Sequence, residues 1–119
     1  MGEPIARLSG TAPGRSRAVA YDGLIWTVAT ASEKSPSMHA QTVSALMALD
    51  RNLAAAGTDK RHILSATVYI ADMSRKSEMN EAWLDWVDPA HAPQRACIGV
   101  TLEGKDLVEI VVCAASGDR

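Results

Sequence analysis

The sequence predicts an α+β fold: a mixed six-stranded sheet with two helices packed on one face. Three observations lead there. Strand-like and helix-like segments follow one another as β-β-β-α-β-α-β-β, so each half of the chain brings strands and one helix. The strand segments alternate apolar and polar residues, the pattern of a sheet covered on one side. Each helical segment carries a single apolar stripe, which a sheet face can cover.

Residues 5–8 supply a short first strand. The stretches "SGTAPGRS" (9–16) and "ASEKSPS" (31–37) are the loop-rich patches. Between them, "AVAYDGLIWTVATA" reads as two strands around Asp22-Gly23, a dipeptide suited to a two-residue hairpin turn. Ser37 caps a helix that runs to Ala56 and stops at Gly57, with Val43, Leu46, Leu49 and Leu53 as its apolar stripe. In "HILSATVYIAD" (62–72), Leu64, Ala66, Val68 and Ile70 share one face while Ser65, Thr67 and Tyr69 share the other, which is a strand. Asp72 or Ser74 caps the second helix, "RKSEMNEAWLDWV", which turns Met79, Ala82, Trp83 and Trp86 inward and ends before Pro89. Two strands close the chain, "ACIGV" and "LVEIVVCAA", joined by the turn "LEGKD".

At 119 residues the chain is expected to form one domain spanning residues 1–119, long enough to bury a core without cross-links. Its formal charge is −2, and no run of Lys or Arg exceeds two residues, so nucleic acid is not an expected partner. Aromatics make up 4% with no Phe, leaving few platforms for stacked bases. No segment approaches the roughly 20 apolar residues needed to cross a bilayer, and the charged start "MGEPIARLSG" is not a signal peptide, so no membrane association and a cytoplasmic location are expected. His39, His62 and His91 are scattered, and no metal or other cofactor is expected. Cys97 and Cys113 lack CxxC spacing and a nearby His, which makes small apolar side chains of them rather than a disulfide or a nucleophile.

One arginine is out of place for a bland strand. Arg95 stands at the mouth of the strand containing Ala96, Ile98 and Val100, just after Pro93. If the last two strands pair as a hairpin centred on Gly104, Thr101 faces Leu107, Gly99 faces Glu109 and Cys97 faces Val111. Arg95, Cys97 and Glu109 would then project from one face, with Arg95 and Glu109 about 13 Å apart along the sheet, a gap the size of a small metabolite. An isolated Arg95 is as well explained by a surface ion pair as by a ligand, and Glu109 by an edge-strand carboxylate facing solvent.

The runs "ILSATVYIADMSRKSEMNEAWLDWV", "HAPQRACIGV" and "VEIVVCAA" resemble the Rid family, formerly YjgF-like and often labelled endoribonuclease L-PSP, and within it the YoaB-like branch. The resemblance implies the chorismate-mutase-like fold and a homotrimer with clefts between subunits. It implies a small-molecule partner, a 2-imino or 2-keto acid, and cofactor-free hydrolysis of 2-imino or 2-enamino acids to 2-keto acids and ammonia. The arginine of the P-x-R motif, here Arg95, would hold the substrate carboxylate, and the glutamate of V-E-I, here Glu109, would orient the attacking water. Cys97, two residues past the arginine, would line the cleft. The first half departs from the family pattern: where archetypal members have Ser-Gly, this chain has Ala29 and Thr30, and Ser16 stands where they have a tyrosine.

The expected activity is therefore that of an imine deaminase using Arg95 and Glu109 catalytically, with Arg95, Cys97, Ala29 and Thr30 around the substrate. The planar fork of Arg suits a carboxylate, and positioning plus one acid–base group suffices for imine hydrolysis. The alternative is a module of the same fold that binds small carboxylates without catalysis, which the loss of the Ser and Tyr side chains favours. RNA cleavage is disfavoured by charge and composition, and chorismate mutase chemistry would be fold analogy alone. A sheet face carrying Thr67, Tyr69, Arg95, Cys97 and Glu109 would be buried against other copies of the chain.

Overall fold

The computed structural model describes residues 4–117. Its elements are β1 (Ala6–Ser9), β2 (Ser16–Tyr21), β3 (Leu24–Thr30), α1 (Met38–Ala55), β4 (Ile63–Ile70), α2 (Lys76–Trp86), β5 (Gln94–Gly99) and β6 (Val108–Ala115), the predicted order. They build one six-stranded sheet, β1-β2-β3-β6-β4-β5. β4 and β5 run parallel, and the other neighbours are antiparallel.

The β2–β3 hairpin turns at Asp22 and Gly23, both at positive φ (52° and 79°), which matches the right-handed twist of the flanking strands. Ser37 caps α1 by accepting a hydrogen bond from the Ala40 N–H. The buried face of α1 includes Met38, Thr42, Ala45, Leu46, Leu49 and Leu53; Val43, expected in the stripe, is 39% exposed. Thr42 takes its place because its hydroxyl is satisfied by donating to the Met38 carbonyl at 2.8 Å. Asp72 caps a short 3₁₀ turn that leads into α2, on which Met79, Ala82 and Trp83 are buried. Trp86 is half-buried, and its indole N–H donates to Asp50 at 3.0 Å.

The core lies between the helices and one face of the sheet: Leu46, Leu49 and Leu53 from α1 and Met79 and Trp83 from α2 meet Val68, Ile70, Val108 and Ile110. Each buried aliphatic side chain contributes about 1.5–3 kcal/mol. On β4 the register slips between Ile63 and Ser65, so Ile63 turns inward and Leu64 faces out at 52% exposure, reversing the expected inward Leu64.

The largest correction concerns the last two strands. They do not pair. β4 lies between them, with β5 on its outer side and β6 inserted between β3 and β4. The β4–α2–β5 connection is long enough to be a crossover, which returns β5 parallel to β4. β6 buries Val108, Ile110, Val112 and Ala114 and takes the interior position, whereas β5, with exposed Gln94 and Gly99, takes the edge. The intervening loop is pinned by buried Gln41, whose amide donates to the Ser35 and Lys105 carbonyls and accepts from the Leu107 N–H.

Candidate functional site

Residues paired across neighbouring strands share a face, so the register decides where each side chain points. Arg95 pairs with Ala66, which pairs with Val112, and both partners lie in the core. Cys97 pairs with Val68 and packs against the same core. Arg95 and Cys97 therefore stand on the helix-covered face. Glu109 pairs with Thr30 on one side and Tyr69 on the other, and Tyr69 pairs with Ile98. That row lies on the opposite, uncovered face. The expectation that Arg95, Cys97 and Glu109 share a face is overturned, because β4 separates the strands that were expected to form a hairpin.

Arg95 is half-buried beside α2. Its guanidinium carbon lies 5.3 Å from the centroid of the Trp83 ring, and Nη1 is 3.8 Å from the Met79 sulfur. The indole face attracts the cation electrostatically and holds its stem against the core. The guanidinium forms no ion pair among the described residues, so most of its donors are available to a carboxylate. Asn80, which the sequence reading did not single out, is on the turn of α2 facing the same way as Trp83, three residues before it. Its Oδ1 is buried with no hydrogen-bond partner among the described residues. Helical spacing from Trp83 was the one signal that could have found it.

Half-buried Glu109 and Thr30, on the free face, border an open cleft of about 900 Å³ that also reaches α1, where Ala48, Arg51 and Asn52 line it. Both loop patches reach this cleft, which is also lined by Gly10, Arg15, Ser16, Arg17 and Lys34. Lys34 forms an ion pair with Asp106 there. Of the two residues at the archetypal Ser-Gly positions, Thr30 is at the cleft, while Ala29 is 5% exposed and belongs to the core. The placement of Ala29 follows from alternation along β3: its partner Ile110 is a core residue, whereas the partner of Thr30 is Glu109. The structure thus brings Thr30 and Glu109 together, brings Arg95 and Cys97 together, and keeps the two pairs apart within one chain.

Cys97 and Cys113 are free and project from opposite faces, since Cys113 pairs with Ser65 and Trp26 in the uncovered rows. Burial pushes the Cys113 thiol above its ordinary value, which keeps it protonated. Among the described residues no group of three or more His, Cys, Asp or Glu side chains is placed to hold a metal ion. No helix among them is long and apolar enough to cross a membrane.

A mixed sheet in this strand order, with two helices on one face, defines an α+β protein of the chorismate-mutase-like, YjgF-type fold. The family model described as endoribonuclease L-PSP matches residues 5–116, so the chain belongs to the Rid (YjgF, endoribonuclease L-PSP) family. A RutC family protein of Haemophilus ducreyi is 40% identical over 102 residues, covering 84% of this chain and 87% of that one. The RutC family protein YoaB of Escherichia coli is 40% identical over 76 residues, covering 63% and 67% of the two chains. Among solved structures, NMB1025 of Neisseria meningitidis, a member of the YjgF protein family, superposes with a TM-score of 0.91 at 35% identity over 98% of both chains.

Proposed function

We propose that this protein hydrolyses reactive 2-imino and 2-enamino acids to 2-oxo acids and ammonia, in clefts completed between the subunits of a homotrimer in the cytoplasm, each subunit a single domain. Family membership supports the reaction class. The observation that carries the geometric part is that Arg95 and Glu109 occupy opposite faces of one sheet. Two groups so placed can act on one small substrate only if another copy of the chain brings its Arg95 to the Glu109 side. Two features suit that assembly. The uncovered face exposes Trp26 (42%), Val28 (41%), Ile98 (44%) and Val111 (39%), a patch that calls for a partner surface. The outer edge of β5 has no strand neighbour among the described residues and is open to a second copy.

In this reading the Arg95 of one subunit binds the substrate carboxylate through its fork and fixes the imine carbon over the neighbouring subunit's cleft. Glu109 takes a proton from water as the oxygen attacks that carbon. It then returns that proton to the nitrogen, giving a carbinolamine, and carries the carbinolamine's hydroxyl proton to the nitrogen in turn, so that the C–N bond breaks, ammonia leaves and the carbonyl forms. Thr30, beside Glu109, offers a hydroxyl to the water or the amine.

One observation favours a second reading, a carboxylate-binding module without catalysis. Ala29 has no hydroxyl and is turned into the core, so the position where archetypal members carry a serine offers a ligand no polar group. The deciding experiment measures 2-oxo acid release from imines generated in situ by an amino-acid oxidase. The deaminase reading expects release above the buffer rate and a loss of about 100-fold in Glu109→Gln. Release at the buffer rate, with 2-oxo acids still bound, would make the protein a binding module.

A further inference from the structure

We infer that the cleft beside Glu109 contains a second anion subsite built around Arg17, so that the preferred ligand is a dicarboxylic 2-imino or 2-oxo acid. The inference deepens the proposed function and rests on it for the oxo or imino part of the ligand.

Arg17 is the extra residue of a β-bulge. Along β1–β2 the partners run Leu8 with Ala18 and then Ser9 with Ser16, so Arg17 has no opposite number. Strand alternation would put Arg17 on the face away from its buried neighbour Ala18, where the free face lies. A bulge re-aims the side chain. Its Nε instead donates to Oδ1 of Asn52, on α1, at 2.6 Å, and the Asn52 amide donates in turn to the Val28 carbonyl at 3.2 Å. Asn52 is 9% exposed. A buried amide with both ends engaged thus fixes the guanidinium by its Nε alone and leaves both Nη groups without a partner among the described residues.

The same cleft holds Arg51, just before Asn52 on α1, and Arg15, from the loop before β2. Neither forms a hydrogen bond or ion pair with its side chain among the described residues. The cleft is lined by five cations, Arg15, Arg17, Lys34, Arg51 and Lys105, against three anions, Glu103, Asp106 and Glu109. Among the described residues, Lys34 and Asp106 are the one pair of these that neutralise each other. A fixed guanidinium flanked by unpaired arginines, in a site already containing Glu109, suits a carboxylate at the far end of the ligand.

The test compares two five-carbon acids that differ only in the second carboxylate, 2-oxopentanedioate and 2-oxopentanoate, by calorimetry at fixed ionic strength. Pentanedioate, which lacks the oxo group, is the third ligand. The proteins are wild type, Arg17→Gln and Arg51→Gln. Arg51 is exposed, so the second variant keeps the test decisive if Arg17→Gln unsettles Asn52. The expected result is 2-oxopentanedioate bound about tenfold or more tightly than 2-oxopentanoate, with the ratio falling toward one in both variants. Equal affinity for the two oxo acids in wild type, or an unchanged ratio in both variants, would overturn the subsite and leave the deaminase reading standing. Pentanedioate binding that depends on Arg17, with no response to the oxo group, would uphold the subsite and count against the deaminase.

Discussion

The guanidinium of Arg95 lies over the ring of Trp83, 5.3 Å from its centroid, at the point where the edge strand β5 meets α2. This contact explains how an arginine at a strand entrance stays ordered without an acidic partner. The indole also belongs to the core, so the placement of Arg95 and the stability of the fold are coupled through one side chain.

Trp83→Leu is therefore expected to act twice. Loss of a buried indole lowers stability by about 2 kcal/mol or more, read as the denaturation midpoint. Loss of the ring face lets the Arg95 fork wander and weakens 2-oxo acid binding by about two- to fivefold. Trp83→Phe, which keeps an aromatic face, is expected to restore most of the affinity. If Trp83→Leu lost stability but bound 2-oxo acids as wild type does, Trp83 would be packing alone.

Asp59 holds the turn before β4, accepting from the Arg61 N–H at 2.9 Å and meeting His62 Nδ1 at 2.9 Å. The Arg61 side chain beside it is the main cause that draws its carboxyl below the ordinary 3.8, with His62 adding to the effect. A carboxyl with a depressed folded pKa stabilises the fold above its unfolded value, and this contribution is lost as pH falls through the folded value. Asp59→Asn should accordingly melt below wild type at neutral pH, with the gap narrowing as pH drops under 3.8. The gap is modest, because the pair is about half exposed and screened by solvent. A gap constant from pH 7 to pH 3 would show that the turn owes nothing to the ionised group.

Gly117 donates to the Gly57 carbonyl at 3.1 Å and ties the end of β6 to the end of α1. A Cβ at residue 117 would stand 2.8 Å from that same oxygen, too close for any side chain. Gly117→Ala should cost about 1 kcal/mol and lower the melting point by several degrees. Faster hydrogen exchange at the residue-117 amide would place the loss at this contact, whereas unchanged exchange and melting would mean the tail re-seats freely.

Local patterns made the element order legible in the sequence: the Asp22-Gly23 turn, the Ser37 cap and the alternation in β6 are all set by residues close together in the chain. Strand neighbours are set by distant packing, and there the local pattern misled. A short Gly-containing turn between two apolar strands resembles a hairpin, yet β6 is apolar enough to take the centre of the sheet and β5 is not. The bulges at Leu64 and Arg17 were also invisible, because each depends on a partner strand. Arg95 and Glu109 stood out individually through their motifs. Their relation across the sheet was not, since one misplaced strand moved Arg95 to the wrong face.

The opposite placement of Arg95 and Glu109 makes a sharper demand than either single variant. Under the proposed function, Arg95→Gln would remove the carboxylate anchor and Glu109→Gln the proton carrier, and an assembly of either variant alone should be nearly inactive. Differently tagged copies of the two variants can be unfolded together, refolded, and purified through both tags so that only mixed assemblies remain. If each site takes Arg95 from one subunit and Glu109 from its neighbour, random mixing gives some sites with both native groups. About a quarter of sites would then be intact, with activity near that fraction of wild type before the selection for mixed species raises it. If one chain supplied both groups to its own site, every site would lack one of them and mixing would restore nothing. Refolded wild type serves as the yardstick for recovery. Mixed trimers as inactive as their parents, alongside full recovery of wild type, would refute the shared cleft.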